Sequence, residues 1–173
     1  LFKGTGLNFV DPDDQVFFQC DVVFFATPHG TAMHKANSFI QKGIKVIDLS
    51  ADFRLKDPAV WREWYGSKHT DLENLENSIY GLTELNAKLI ETANLIAVPG
   101  CYPTASILGL LPLVSKKIPI DSITIDAKSG ISGAGRTTVK ENLRDDMKEN
   151  FRAYATGGHR HLPEISEVLE GIY

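Results

Sequence analysis

The sequence predicts an α/β fold: a layer of parallel strands over residues 1–99, then part of a mixed α+β layer over residues 100–173. Three observations carry this. Short continuous apolar runs, such as Val22-Val23-Phe24-Phe25-Ala26 before Thr27-Pro28-His29-Gly30, end at turn residues, as strands buried on both faces do. Between that run and a second one at 44–50 lies a helix-period segment, 31–42, with Ala32, Ala36, Phe39 and Ile40 on one face and Gly43 as its stop. A strand, a helix and a strand with short connections form a right-handed βαβ unit. Beyond residue 118 the pattern changes to the alternation of a half-exposed strand, Ser122-Ile123-Thr124-Ile125-Asp126-Ala127-Lys128.

The remaining elements follow in order. Residues 1–20 read as edge or loop, with a turn at Asp11-Pro12-Asp13-Asp14. Residues 52–80, polar and aromatic with Trp61, Trp64 and Tyr65, read as an irregular excursion carrying a short helix. Helix is predicted at 85–93, a third strand at 95–99, a mostly apolar helix at 104–116 and a closing helix at 163–169.

Composition narrows the function. A net charge of −4 offers no basic face for nucleic acid. The apolar runs are far too short to cross a bilayer, and the start has no signal-peptide pattern. Two cysteines, Cys20 and Cys101, make neither a disulfide framework nor a C-x-x-C pair, so a reducing compartment, the cytoplasm (an organelle in a eukaryote), is expected. The first residue is not Met, and the chain is expected to begin inside a longer protein.

Val98-Pro99-Gly100-Cys101-Tyr102-Pro103-Thr104 places a cysteine between a buried strand and a helix start, with Pro103 suited to the first helical position. The open N–H groups of a first turn favour an anion, and the thiolate is the nucleophilic form of cysteine. A cysteine packed inertly under the helix is the alternative. Cys20 has no such setting and reads as a packing residue.

A cysteine nucleophile needs a proton-transfer partner. If the loop Gly157-Gly158-His159-Arg160-His161-Leu162-Pro163-Glu164 is extended, His159 and His161 share one side, with Arg160 on the other. A solvent-facing polar loop is the alternative. No further ligand cluster completes a metal site, so no metal is expected. His29 is a strand-end residue placed to line a cofactor site, His34 reads as helix surface, and His69 as exposed.

Ser129-Gly130-Ile131-Ser132-Gly133-Ala134-Gly135-Arg136 offers a glycine-rich backbone for a cofactor, or simply a flexible turn. It is not the G-x-G-x-x-G fingerprint, and the first βαβ half of a dinucleotide-binding layer is expected to lie outside these residues. Ser50 and Arg54, in Ser50-Ala51-Asp52-Phe53-Arg54 after the second strand, suit a phosphate; a surface Arg54 paired with Asp52 or Asp57 is the alternative.

In this order, these segments, together with Tyr80-Gly81-Leu82-Thr83-Glu84, resemble the N-acetyl-gamma-glutamyl-phosphate reductases of the wider aspartate-semialdehyde dehydrogenase group. The matching motifs cover nearly all of the chain from residue 21, and Gly100-Cys101-Tyr102-Pro103-Thr104 is the sharpest. The resemblance implies an incomplete Rossmann-like layer followed by part of a semialdehyde dehydrogenase-like catalytic domain. It implies NADP(H) as cofactor, a small acyl phosphate as substrate, a thioester on Cys101, and His159 as acid/base with His161 as the second choice. Arg54, Ser50, His161 and Arg136 fall to substrate, and Thr27, Pro28, His29, Ser132 and Gly133 to cofactor. A homo-oligomer is expected for the full-length protein, and weak or no turnover for this stretch alone.

Other readings stay open on sequence grounds. A carrier-linked aminoadipyl-phosphate reductase has the same chemistry. A Cys/His hydrolase would use the same pair, and a non-catalytic binding remnant would use neither.

Overall fold

In the computed structural model, residues 4, 6, 8–134, 150, 151 and 153–172 are described. The chain divides into two units, Leu1–Gly100 and Cys101–Tyr173.

The first unit is a parallel sheet. β1 (Val22–Phe25), β2 (Lys45–Asp48), β3 (Ile79–Tyr80) and β4 (Leu95–Ala97) lie in the order β1-β2-β4-β3, with every pair parallel. Val46 and all three residues of β4 are buried, which accounts for their unbroken apolar character. α1 (Ala32–Ile40) returns the chain from β1 to β2 and buries Ala32, Met33, Ala36 and Phe39, one stripe at helical spacing. The Phe25 and Phe39 rings meet edge to face at 5.8 Å in this core.

Residues 52–80 are more ordered than expected. α2 (Pro58–Tyr65) starts with Asp57 accepting the Ala59 N–H and Pro58 in the first turn, and it stops at Gly66 in the left-handed region. α3 (Leu72–Asn77) is capped by Asp71. Lys56 Nζ donates to the carbonyls of Leu75 (2.8 Å) and Glu76 (3.1 Å) at the end of α3, where a cation complements the exposed carbonyls. Trp61 is fully buried and stacks on Tyr65 with centroids 4.1 Å apart. His69, expected to be exposed, is 1 % exposed, because Phe53 and Trp61 present their rings to it at 5.4 and 5.6 Å.

α4 (Thr83–Thr92) leads into β4. Gly81 N–H donates to the Ala97 carbonyl at 2.8 Å. A Cβ at Gly81 would sit 2.8 Å from Ile96 Cγ2 and 3.1 Å from the Ala97 oxygen, so only glycine permits this approach.

The second unit contains α5 (Cys101–Val114), a 3₁₀ turn at Ile131–Ala134 and α6 (Leu162–Ile172). α5 begins three residues before the expected position. Pro103 sits in its first turn, where a missing N–H costs no intrahelical bond. Residues 122–128, expected to be a strand, pair with nothing among the described residues, and every one of them is exposed. Cys20, expected to pack, is exposed.

Candidate functional site

Two groups of polar side chains stand out, one in each unit. In the second unit, Cys101 is the first residue of α5 and is exposed. Its neighbour Tyr102 presents its ring edge to face to His159 at 5.3 Å and to His161 at 5.9 Å. The two imidazoles lie 4.7 Å apart and both are half-buried, while Arg160 between them is exposed. The expected extended loop is instead a turn, closed by the Leu162 N–H on the His159 carbonyl at 2.8 Å. Tyr154 packs on His159 from another direction at 5.8 Å. With Ile125, Ala127, Leu162 and Ile165, these rings surround a cavity of about 210 Å³.

The His161 backbone N–H donates to His159 Nδ1 at 3.1 Å, so neutral His159 carries its proton on Nε2. Burial, and then the charge of Arg160, hold the His159 pKa below its ordinary value. A neutral imidazole with an Nε2–H is a hydrogen-bond donor to an oxygen gaining charge. The Tyr102 hydroxyl donates to Ser129 Oγ at 2.8 Å and bonds the Tyr154 hydroxyl at 2.5 Å. Sequence reasoning did not find these hydroxyls: Tyr102 and Tyr154 are 52 positions apart and share no local pattern.

Ser132 and Gly133 lie in the 3₁₀ turn and are exposed. Neither Gly130 nor Gly133 has a positive φ, and a Cβ on either would meet only ordinary contacts at 3.6 Å or more. Among the described residues, packing therefore does not require glycine there. Arg136 lies outside the described residues.

In the first unit, the loops that follow β1 and β2 are bonded together. Ala51 N–H donates to His29 Nδ1 at 3.0 Å, and Asp52 accepts from Gly30 at 2.7 Å and Met33 at 3.0 Å. Thr31, the residue before α1, makes no side-chain cap, so the buried Asp52 carboxylate serves the open N–H groups of that helix. Thr27 is half-buried with its hydroxyl unpartnered among the described residues, and Pro28 and His29 are exposed. An orphaned hydroxyl at the carboxyl end of a parallel strand, beside Gly30 at φ 88°, fits a group that approaches this backbone closely.

Arg54 is not the surface residue that pairing with Asp52 or Asp57 would make it. It is 8 % exposed, and its Nε and Nη2 donate to the carbonyls of Val98 (2.7 Å) and Leu49 (2.9 Å), bracing the chain just beyond β4 and β2. Ser50 is buried, gives its hydroxyl proton to Asp48 and accepts the Asp52 N–H. Burial pushes the Asp48 carboxyl up to about 6, against the lowering effect of the two Ser50 bonds. His69 accepts the Asp71 N–H on Nδ1 and donates from Nε2 to the Asp52 carbonyl, and burial holds its pKa down. Among the described residues, no group of three or more His, Cys, Asp or Glu side chains could hold a metal. None of their helices is long and apolar enough to cross a membrane.

Comparison with known proteins follows the same division. Residues 101–172 match the model described as semialdehyde dehydrogenase, dimerisation domain. The chain is 50% identical to the N-acetyl-gamma-glutamyl-phosphate reductase of Ruthia magnifica over 99% of its length and 51% of the relative's. It is 53% identical to the protein of that name from Pseudomonas syringae over 95% of the chain and 48% of the relative. For the one from Nitrosospira multiformis the figures are 52%, 94% and 48%. The chain thus spans about half the length of the curated relatives it matches. Because residues 1–93 match the model described as semialdehyde dehydrogenase, NAD binding domain, this chain belongs to the semialdehyde dehydrogenase family.

Proposed function

We propose that the full-length protein, like the N-acetyl-gamma-glutamyl-phosphate reductases it is similar to, reduces N-acetyl-glutamyl 5-phosphate to N-acetyl-glutamate 5-semialdehyde and phosphate with NADPH, a step of arginine biosynthesis, in the cytoplasm and as a homo-oligomer. The observation that carries this reading is the packing of His159 against Tyr102, next to Cys101, at the first turn of α5.

The Cys101 sulfur bonds to the acyl carbon as the carbon–oxygen bond to phosphate breaks, and phosphate leaves with that electron pair. NADPH, when bound, supplies the hydride that reduces the resulting thioester. The Nε2–H of His159 is the donor for the oxygen that gains negative charge. The carbon–sulfur bond then breaks, the aldehyde leaves and the sulfur regains its electron pair. His161, which lines the cavity with His159, contacts the acyl chain. Arg54, fixed at the ends of β2 and β4, supplies positive charge to the phosphate, with Ser50 holding its loop and Arg136 as a further cation. Thr27, Pro28 and His29 serve the cofactor, as do Ser132 and Gly133, where glycines that packing among the described residues does not need leave room for one. Residues 1–99 and 100–173 are the corresponding partial domains.

The experiment is NADPH oxidation by the full-length protein with N-acetyl-glutamyl phosphate and an aminoadipyl phosphate, beside Cys101→Ser. Turnover of the acetylglutamyl substrate, lost in the variant, is expected, as is an acyl adduct on Cys101 by intact mass. A Cys101→Ser protein at the parental rate would falsify the reading.

A further inference from the structure

We propose that Tyr102 is a positioning residue: its hydroxyl ties Ser129 to Tyr154, and its ring fixes the His159 imidazole at the start of the helix that carries Cys101. This rests on the reaction proposed above and extends it to a residue outside the Cys/His pair.

Three segments meet on this one side chain. Its backbone belongs to the first turn of α5, one position after Cys101. Its hydroxyl donates to Ser129 at the head of the glycine-rich segment, at 2.8 Å. With that proton directed at Ser129, the Tyr154 hydroxyl supplies the proton of the second bond. Burial first, and then the bond to Tyr102, raise the Tyr154 pKa. The Tyr102 ring contacts His159 and His161 at 74° and 77°, the edge-to-face geometry that restricts ring rotation.

A purely structural role fits poorly. Tyr154 is 56% exposed and Ser129 is exposed, so the hydroxyl bonds lie in a wet environment where their net contribution to stability is small. What they set is direction. A tyrosine rotated away from Ser129 would let the His159 ring turn, and small misplacements of a reacting group reduce rates by large factors.

The test uses the full-length protein with Tyr102→Phe, which deletes only the hydroxyl, and Tyr102→Leu, which also deletes the ring. Tyr102→Phe is expected to keep the parental unfolding transition and NADPH KM, to lower kcat roughly tenfold, and to move the NMR titration of His159 back toward the free value; Tyr102→Leu should lower kcat roughly a hundredfold. Parental kcat together with an unmoved His159 titration in Tyr102→Phe overturns the proposal. The titration needs no turnover. If the parental protein fails to oxidise NADPH yet Tyr102→Phe moves His159, the reaction assignment falls and the positioning role stands.

Discussion

Ser50 holds both oxygens of the Asp48 carboxyl, giving its N–H to one and its hydroxyl proton to the other, each at 2.9 Å. The group is fully buried at the end of β2, and its pKa rises from 3.8 to about 6. The folded protein therefore holds this proton more tightly than the unfolded chain. The associated stability is complete below 3.8 and is lost as pH rises through about 6. Asp48→Asn removes the titration and keeps an acceptor for the Ser50 N–H. Across that window the parental protein should lose on the order of 3 kcal/mol relative to Asp48→Asn, read as diverging urea midpoints at successive pH values.

His69 titrates with the opposite sign. Its folded pKa lies below the unfolded value of 6.5, so the unfolded chain takes up the proton first as pH falls. Its contribution is complete above 6.5 and declines as pH drops below it. A His69→Gln variant should show a flatter acid limb in urea unfolding. An acid limb as steep as the parental one would assign the titration elsewhere.

Asp52→Ala leaves the Gly30 and Met33 N–H groups, both now bonded to the carboxylate, without their acceptor. The expected loss is about 2–4 kcal/mol in chemical unfolding, the sum of a missing cap and buried donors left unsatisfied. Asp52→Asn, which keeps one acceptor oxygen, should fall between the two proteins. Equal midpoints for all three would show that water replaces the cap.

Gly81→Ala forces a methyl group against Ile96 Cγ2 and the Ala97 carbonyl, and the carbonyl is fixed in the sheet. A cost of about 1–3 kcal/mol is expected, visible as a thermal transition several degrees lower. An unchanged transition would mean that β3 can move away from β4 without penalty.

Much of this was legible in the chain. β4 announces itself as an unbroken apolar run because all three of its residues are buried, whereas β1, expected to be buried on both faces, leaves Val22 and Phe24 exposed, and β3 has two residues and no measurable period. The signals for α2 were present in Asp57, Pro58 and Gly66 but were masked by aromatic and charged neighbours. The alternation at 122–128 predicts a strand, yet a strand exists only through its ladder, and Ile125 and Ala127 instead line the cavity. His159 and His161 do come together, but through a turn closed by Leu162 rather than the extended backbone their spacing assumes. The burial of His69 does not follow from spacing, because it depends on Trp61 and Phe53 closing over a polar residue whose ring nitrogens are both satisfied. The sequence shows Arg54 as a cation at a strand end, but its grip on two main-chain carbonyls is a tertiary fact.

The carboxylate that serves the start of α1 arrives from the far side of β2, 22 positions after Gly30 and 19 after Met33. A nine-residue helix is too short to persist by itself in water. It gains its missing acceptor only when the next strand has aligned beside β1 and the loop beyond it has turned back. Helix formation and strand alignment at this corner are therefore one cooperative event, and amide protons at Gly30 and Met33 should exchange with solvent only when the whole βαβ unit opens.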